Sequence, residues 1–295
     1  MCMNRWHYSL SHLFLSILLA YLGALHAMVV RRVAVIGSTS RGIGSEFARQ
    51  LIERHGYAVI GLQRSAAPPF SSPHLRVLDG IDAERPESLL GLRARVEALL
   101  PTFLPPPAPA SLDLLINASA ILGDGASTPG PERSADKISP DWMRRSLDVN
   151  VLGHVEVTRQ LLPLLYRKNA PGAGDVATSS PASTEASRVV NISARVGSIG
   201  DNKTGGWYSY RMSKAALNMF TRTLAIETRR HGVWVLSIHP GTTQTALSAP
   251  FAKNVRADKL FTAERSVQGM LDVILRAGQG ETGKFFAYDG SEIEW

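Results

Sequence analysis

Two side chains one helical turn apart could carry out acid–base chemistry in this chain. Tyr210 and Lys214 stand four residues apart, in a stretch whose pattern predicts a helix over 210–230. Residues with this spacing lie on one face of a helix, so the phenol and the amine are within reach of each other. A phenol titrates near ~10, and a neighbouring ammonium would lower that pKa toward neutrality. The pair therefore predicts a tyrosine that handles a proton, although the same spacing also arises in ordinary amphipathic helices.

A glycine-containing loop far upstream could hold a nucleotide. It follows a β-branched apolar run over 30–36 and precedes a helical pattern that ends at Gly56. A tight turn between a strand and a helix presents backbone N–H groups and a positive dipole end to a diphosphate. The alternative is an ordinary βα turn, since the G-x-G-x-x-G spacing is absent. The candidate cofactor contacts are Gly37, Ser38, Ser40, Arg41, Gly42, Ile43 and Gly44.

The loop and the Tyr–Lys pair together predict hydride transfer to or from a dinucleotide. The residues after the second predicted strand then indicate which dinucleotide, because an acidic side chain there favours a free ribose 2′-hydroxyl and a basic one a 2′-phosphate. This chain offers Gln63 and Arg64, with Arg41 across the loop and no carboxylate at either place. Two guanidiniums suit a phosphate dianion, so NADP(H) is favoured over NAD(H). Both arginines could instead be solvated surface charges.

The elements that must position these residues alternate along the chain. Short apolar runs are separated by amphipathic stretches long enough for helices, which predicts an α/β fold with a parallel sheet covered by helices on both faces. The predicted strands are 30–36, 57–62, 75–78, 112–117, 188–193, 233–239 and 284–288, and the later predicted helices are 86–100, 140–168, 210–230 and 267–277.

The assembled residues resemble the short-chain dehydrogenase/reductase family over about 30–295. The resemblance implies a Rossmann-like, doubly wound parallel sheet of about seven strands that binds NAD(P) and interconverts carbonyls and alcohols through an Asn–Ser–Tyr–Lys set. It gives Tyr210 the role of acid/base, Lys214 that of its partner, and Asn150 that of holding a relay water. The further cofactor contacts it implies are Asp79 near the adenine, Asn117 and Ala118 after the fourth strand, and Pro240, Gly241, Thr243 and Thr245 beside the nicotinamide.

A narrower resemblance, to the C-factor and sniffer-type carbonyl reductase branch, rests on the segment 195–210 and on Gly283-Lys284-Phe285-Phe286. The substrate end of the site is expected to be shaped by Trp142, Trp207 and the segment 246–261, which suggests an apolar or aromatic carbonyl.

The chain departs from the family pattern in its glycine loop and at the catalytic serine. Gly37 precedes Gly42 by five residues rather than four, so either the loop carries one extra residue or Ser38 stands in for glycine. Alignment on Gly197 places Ala194 where the serine usually stands. Ser193 is the first candidate to replace that serine and Ser198 the second; on a strand, Ser193 would point to the opposite face unless the backbone bulges.

Composition limits the other classes of function. The chain has 295 residues, 44% of them hydrophobic, and a net charge of +7. Its basic residues are dispersed rather than clustered, so no nucleic-acid partner is predicted. The one cysteine, Cys2, excludes a disulfide within the chain, and the eight histidines lack ligand spacing, so no metal is predicted.

The first 27 residues are predicted to be separate from the dinucleotide-binding domain over 28–295. The apolar run over 13–25 suits a signal-type segment better than a membrane span, which needs about 20 residues. The alternative is that the start codon has been assigned too far upstream and the protein begins at Met28. This alternative favours a cytoplasmic protein over a secretory, mitochondrial or membrane-associated one. Residues 170–187 are Gly-, Ala-, Ser-, Thr- and Pro-rich and predict an irregular insertion.

The sequence therefore predicts an NADPH-preferring oxidoreductase with a small carbonyl or alcohol substrate. A homodimer or homotetramer is expected, and a membrane partner only if residues 1–27 are retained. The alternative function is a catalytically impaired NADP(H)-binding sensor or scaffold, which the missing serine would favour.

Overall fold

The computed structural model describes residues 32–65, 67, 70–104, 111–123, 131–167, 186–252 and 255–295. The predicted extension over 1–27 lies outside these residues, as does most of the predicted insertion over 170–187. Within the part of the chain that is described, no helix has both the length and the apolar character needed to cross a membrane.

Nine strands are formed by the described residues. They are β1 (Arg32–Gly37), β2 (Tyr57–Leu62), β3 (Leu75–Leu78), β4 (Leu114–Asn117), β5 (Ser187–Ile192), β6 (Val233–His239), β7 (Thr242–Thr243), β8 (Leu260–Phe261) and β9 (Phe285–Ala287). Seven of them make one parallel sheet in the order β3-β2-β1-β4-β5-β6-β9, while β7 and β8 pair with each other. The strand order reverses between β1 and β4, which opens a crevice at their carboxyl ends.

The α-helices of the described residues cover both faces of the sheet. They are α1 (Gly42–His55), α2 (Leu92–Leu99), α3 (Pro140–Leu147), α4 (Gly153–Leu165), α5 (Tyr208–Thr228), α6 (Ala249–Ala252) and α7 (Ala263–Arg276). Residues of α2, α4 and α5 pack in one buried apolar cluster, and those of α1 and α7 in a second. The predicted α/β fold, a doubly wound parallel sheet, is confirmed.

Strand β1 shows why a continuous apolar run forms a central strand. Val33 and Val35 belong to the first cluster, while Ala34 and Ile36 belong to the second. Alternate side chains of a strand point to opposite faces, so both faces of β1 require apolar residues.

Two predicted helices are wrong in their continuity. The helix predicted over 140–168 is split into α3 and α4 by a π-helical turn at Asp148–Leu152 and ends at Leu165. The helix predicted over 86–100 begins as a 3₁₀ turn, Pro86–Leu89, and restarts as α2 after Gly91, whose φ of 68° is left-handed. A left-handed residue cannot continue an α-helix, so Gly91 separates the two segments.

Candidate active site

The loop between β1 and α1 takes the conformation expected of a nucleotide-binding turn. Ser38 has a φ of 63°, in the left-handed region that favours glycine, and its N–H donates to the carbonyl of Leu62 at 2.8 Å. Ser38 lies four residues before Gly42, the spacing of the family's first glycine. Of the two alternatives that the sequence left open, the backbone favours Ser38 standing in for glycine.

Gly44 allows the backbone of α1 to approach the loop closely. A Cβ at this position would lie 2.1 Å from the carbonyl oxygen of Ser38, which no side chain tolerates. Helix α1 begins at Gly42, with a φ of 61°, and has neither a side-chain cap nor an acidic residue in its first turn. Its N–H groups and positive dipole end therefore suit an anionic ligand such as a dinucleotide diphosphate.

The side chains beyond β2 divide into a structural residue and exposed cations. Gln63 is buried, accepts from the Thr39 hydroxyl at 3.0 Å and donates to two loop carbonyls, so it holds the loop rather than a ligand. Arg41 and Arg64 are exposed, and neither forms an ion pair with another described residue. Asp79 is also exposed, at the end of β3. The two guanidiniums are thus available to a phosphate.

Tyr210 and Lys214 lie buried on one face of α5. Their side chains are 8% and 1% exposed, and the Lys214 Nζ lies 5.7 Å from the centre of the Tyr210 ring. Lys214 also donates from Nζ to the carbonyl of Ile192, at the end of β5, at 2.8 Å. The helical spacing therefore brings phenol and amine together beside the carboxyl ends of the strands.

Burial sets the protonation of both groups. It raises the pKa of the Tyr210 phenol above its usual range, opposite to the direction predicted from the neighbouring amine, and it lowers the pKa of Lys214 to about 7. A low-dielectric environment disfavours the charged form of each group. The phenol is therefore held protonated, as a proton donor requires.

Stability should depend on pH through Lys214. Its pKa is 10.5 when exposed and about 7 in the folded chain, so the unfolded chain binds more protons between these values. The free energy of unfolding therefore rises with pH across this window and is lowest below it. Lys214→Met should remove this part of the slope, measured by urea unfolding at about pH 7 and about pH 9. The exposed Lys203→Met is the control; parallel curves for wild type and Lys214→Met would contradict the assignment.

Ser193 and Ala194, the two residues after β5, make different contacts. Ser193 is buried and lines the cleft described below, and its hydroxyl donates to the Oδ1 of Asn218 at 2.7 Å. Ala194, with Leu122, packs against Tyr210 in a small apolar cluster. Ser198 is buried and its Oγ accepts from the Asp201 N–H at 3.0 Å. The Ala194 methyl group therefore packs against Tyr210, while the Ser193 hydroxyl is engaged by Asn218.

Asn150 stands in the π-helical turn between α3 and α4 and is fully buried. Its side chain pairs with the backbone of Ile121, accepting at 2.8 Å and donating at 3.0 Å, and its second amide hydrogen goes to the Ser213 hydroxyl at 3.0 Å. Both amide hydrogens are used, so the side chain joins the loop after β4 to the helix that carries Tyr210. The Asn150 amide therefore has no hydrogen left to donate to a relay water, which could bind only to an oxygen acceptor of this residue.

Asn117 closes a buried polar network rather than facing the crevice with its side chain. Its Nδ2 donates to the Thr158 hydroxyl at 2.9 Å and to the Asn191 Oδ1 at 2.8 Å. The Ala118 that follows is half-buried, and its N lies 3.6 Å from where a Cβ of Gly37 would be. A contact from this segment to a cofactor would therefore come from Ala118 and the backbone.

The segment after β6 forms one wall of the crevice. Gly241 has a φ of 73°, and a Cβ there would lie 2.7 Å from the Phe261 ring. The Thr243 hydroxyl donates to the Pro240 carbonyl at 3.2 Å, while β7 and β8 tie this wall to the substrate-side segment. The Thr245 methyl lies 3.6 Å from where a Cβ of Gly42 would be, so the wall reaches the glycine loop.

These elements enclose a cleft of about 430 Å³. Apolar side chains make much of its wall, including the part beside Tyr210. Its lining includes Ile43, Leu122, Ala194, Arg195, Trp207, Tyr210, Arg211, His239 and Leu247. Trp142 is buried and is not among the described residues that line the cleft. The prediction that Trp142 shapes the substrate end is therefore wrong.

Sequence reasoning missed three polar residues near this cleft. His239 directly precedes Pro240, and burial together with the charge of Arg195 lowers its pKa to about 4, so its imidazole is neutral. Arg211 donates to the carbonyls of Val196, Gly205 and Gly206 and so fixes the loop before α5. Glu132 is 4% exposed and binds the start of α5. Only His239 had a sequence signal, its place next to Pro240-Gly241.

The described residues contain no cluster of histidine, cysteine, aspartate or glutamate side chains able to hold a metal ion.

A glycine-containing loop and a buried Tyr–Lys pair at one crevice of a doubly wound sheet are the arrangement typical of dinucleotide-dependent oxidoreductases. The chain belongs to the short-chain dehydrogenase family, whose model matches residues 32–256.

Curated relatives extend this similarity over most of the chain. The C-signal protein of Myxococcus xanthus is 35% identical over 184 residues, which cover 62% of this chain and 93% of that protein. The 1-hydroxy-2-glutathionyl-2-methyl-3-butene dehydrogenase of Rhodococcus sp. (strain AD45) is 27% identical over 263 residues, or 89% and 99% of the two chains.

Solved structures of carbonyl reductases are similar as well. The NADPH-bound carbonyl reductase from chicken fatty liver has a TM-score of 0.71 at 25% identity, covering 90% of this chain and 99% of that one. The carbonyl reductase Sniffer of D. melanogaster has a TM-score of 0.73 at 20% identity, covering 90% and 100%, and shows the shared fold alone. These similarities agree with the C-factor and sniffer branch expected from the sequence.

Proposed function

We propose that this protein is an NADPH-dependent carbonyl reductase in which Tyr210 is the proton donor. The observation that carries the proposal is that Tyr210 lines the cleft next to Lys214, between the glycine loop and the Pro240–Thr245 wall. When bound, NADPH supplies the hydride that adds to the carbonyl carbon. As the carbonyl π bond breaks, the Tyr210 O–H gives its proton to the oxygen, and an alcohol and NADP⁺ result.

The buried phenol favours reduction over oxidation. A phenol whose pKa is raised stays fully protonated near neutral pH, the form from which reduction starts, whereas alcohol oxidation would start from its phenolate. Lys214, with a pKa of about 7, can exchange a proton near neutral pH, and we assign it the return of a proton to the phenolate, whose ring centre lies 5.7 Å from its Nζ. Asn150 contributes by holding the loop after β4 against Ser213, one residue before Lys214.

The apolar wall of the cleft favours a neutral apolar or aromatic carbonyl. Leu122, Ala194, Trp207 and Leu247 line the space beside Tyr210. Burial of apolar surface contributes about 25 cal/mol per Å². The apolar part of such a substrate would therefore supply the binding energy, while its carbonyl oxygen accepts a hydrogen bond from the phenol.

A panel of aldehydes, ketones and quinones tests this function by following the loss of NADPH fluorescence. Turnover of at least one class, faster with NADPH than with NADH, is expected. Tight NADPH binding without turnover of any member would instead favour a non-catalytic sensor, whose one structural argument is the methyl of Ala194 beside Tyr210.

Coenzyme preference should depend on Arg41 and Arg64. Each guanidinium is exposed and can pair with the 2′-phosphate of NADPH. Arg64→Asp is expected to weaken NADPH binding by about 10- to 100-fold, since loss of a charge-assisted hydrogen bond costs about 1.5–3 kcal/mol. NADH binding should be kept or strengthened, because that ligand lacks the phosphate and a carboxylate after β2 suits its free 2′-hydroxyl. The control is Arg85→Asp, an exposed arginine after β3. Equal losses for both coenzymes in a fluorescence titration would contradict the assignment.

We further propose that the protein forms a homodimer or homotetramer through α5. Met212, Met219 and Ile226 lie two helical turns apart and are 50%, 66% and 70% exposed, forming an apolar stripe. A second copy related by a two-fold axis would cover the stripe with the same stripe. Met219→Glu with Ile226→Glu is expected to give monomers in sedimentation velocity. A wild-type monomer would exclude the assembly.

A further inference from the structure

Helix α5, which carries Tyr210, has no cap of its own. Its N-cap residue is Trp207, whose side chain accepts no hydrogen bond from the first turn. The first N–H groups of a helix need acceptors, and a buried helix start without them is costly. By contrast, α3 and α7 are capped locally by Ser139 and Thr262.

Glu132 supplies the missing cap from a distant part of the chain. Both of its carboxylate oxygens accept from the Ser209 N–H at 3.3 Å, and one also accepts from the Ser209 hydroxyl. The side chain is 4% exposed. A buried carboxylate is tolerated only where hydrogen bonds compensate for lost water, and the positive end of a helix dipole adds to that compensation.

The backbone of Glu132 holds the residue before the helix as well. The Trp207 N–H donates to the Glu132 carbonyl at 2.5 Å, and a Cβ on Gly206 would lie 3.3 Å from that oxygen. Trp207 has a φ of 57°, a left-handed conformation that costs an L-residue about 1–2 kcal/mol. Side chain and backbone of Glu132 together therefore fix a strained residue at the start of α5.

The strained residue packs directly on the proposed proton donor. The Trp207 and Tyr210 rings meet edge to face, with centres 6.3 Å apart and an angle of 69°, and both line the cleft. Ser209, which the Glu132 carboxylate holds, immediately precedes Tyr210. A displacement of Glu132 would therefore shift the phenol in two ways: through the backbone of α5 at Ser209, and through the Trp207 ring that packs on Tyr210.

We propose that Glu132 is a positioning residue for Tyr210, acting through Ser209 and Trp207 to hold the phenol in line with the substrate carbonyl. The proposal rests on the proposed function of Tyr210. A displacement of about 1 Å in a reacting group can cost about 100-fold in rate, so a cap one residue from the donor affects turnover more than stability.

Two Glu132 variants test the proposal on the full chain, with Thr262→Ala as a matched control. Thr262 accepts from the Arg265 N–H at 3.2 Å, so its loss removes the cap of a helix without Tyr210. Glu132→Ala is expected to lower kcat about 10- to 100-fold, with the NADPH dissociation constant within about twofold. Glu132→Gln should restore most of kcat, because its amide oxygen can still accept from Ser209. Both Glu132→Ala and Thr262→Ala remove a helix cap, so both should lower Tm by similar amounts. Thr262→Ala should leave kcat unchanged.

Amide hydrogen exchange provides a readout that does not need turnover. Exchange over 205–212, followed by mass spectrometry, is expected to increase in Glu132→Ala and to stay unchanged in Thr262→Ala. Unchanged kcat and unchanged exchange in Glu132→Ala would overturn the proposal, as would equal loss of kcat in the control. If Glu132→Ala does not fold, Glu132→Asp takes its place, because its shorter side chain withdraws the carboxylate from the Ser209 N–H: wild-type kcat and exchange in that variant would overturn the proposal. Absence of turnover in the wild type overturns the catalytic role while exchange still tests the cap.

Discussion

Tyr210→Phe is expected to lower kcat by about 10²- to 10⁴-fold, the contribution of a positioned general acid. The substitution removes the one oxygen that the proposal uses for proton transfer. It keeps the ring that packs on Leu122, Ala194 and Trp207, so the cleft wall and the fold should be retained. Single-turnover rates with NADPH, beside the NADPH dissociation constant and Tm, separate a chemical defect from a binding or folding defect.

Tyr208→Phe is the matched control for this prediction. Tyr208 begins the same helix, but the residue four positions on is Met212, which carries no charge. This variant should retain kcat within about twofold, because no general-acid role is assigned to it. Undiminished turnover in Tyr210→Phe, or equal loss in both variants, would show that another group delivers the proton.

The second large effect is a gain. Ala194→Ser is expected to raise kcat by about 10- to 100-fold, since one preorganised donor to a developing oxyanion contributes about 10²–10³-fold elsewhere. Ala194 packs against Tyr210, whereas the Ser193 hydroxyl is used by Asn218. A hydroxyl at position 194 would therefore stand beside the phenol, where the carbonyl oxygen is to bind.

Ser193→Ala separates this prediction from the alternative that Ser193 already supplies the donor. If Ala194→Ser gains nothing and Ser193→Ala loses about 10²-fold in kcat, Ser193 is the donor and the loop must rearrange on substrate binding. If Ser193→Ala loses mainly stability, its hydrogen bond to Asn218 is structural. Steady-state kinetics on a substrate found in the panel, with urea unfolding in parallel, measure both effects.

Local sequence determined the scaffold of the site. The strands β2, β3 and β6 have the predicted bounds, because apolar runs bounded by turn residues have one stable arrangement in a sheet covered on both faces. The Tyr210–Lys214 pair shares a helix face because their spacing is one turn. The glycine loop likewise follows from its sequence, since Gly42 takes a left-handed φ of 61° and Gly44 permits a backbone approach that a side chain would block.

Contacts between distant segments decided the rest. The amides of Asn117 and Asn150 are taken up by Thr158, Asn191, Ile121 and Ser213, all distant in sequence. The direction in which the Tyr210 pKa shifts depends on how deeply the folded chain buries the phenol. Helical spacing alone does not predict that burial.

The sequence by itself thus determined the sheet, the loop and the helix face that bears phenol and amine, since these follow from patterns within a few turns of chain. Only the tertiary structure decided which oxygen and nitrogen atoms face the cleft. Hydrogen-bond partners such as Glu132 for Ser209 are separated by 77 positions and meet only after the chain has folded.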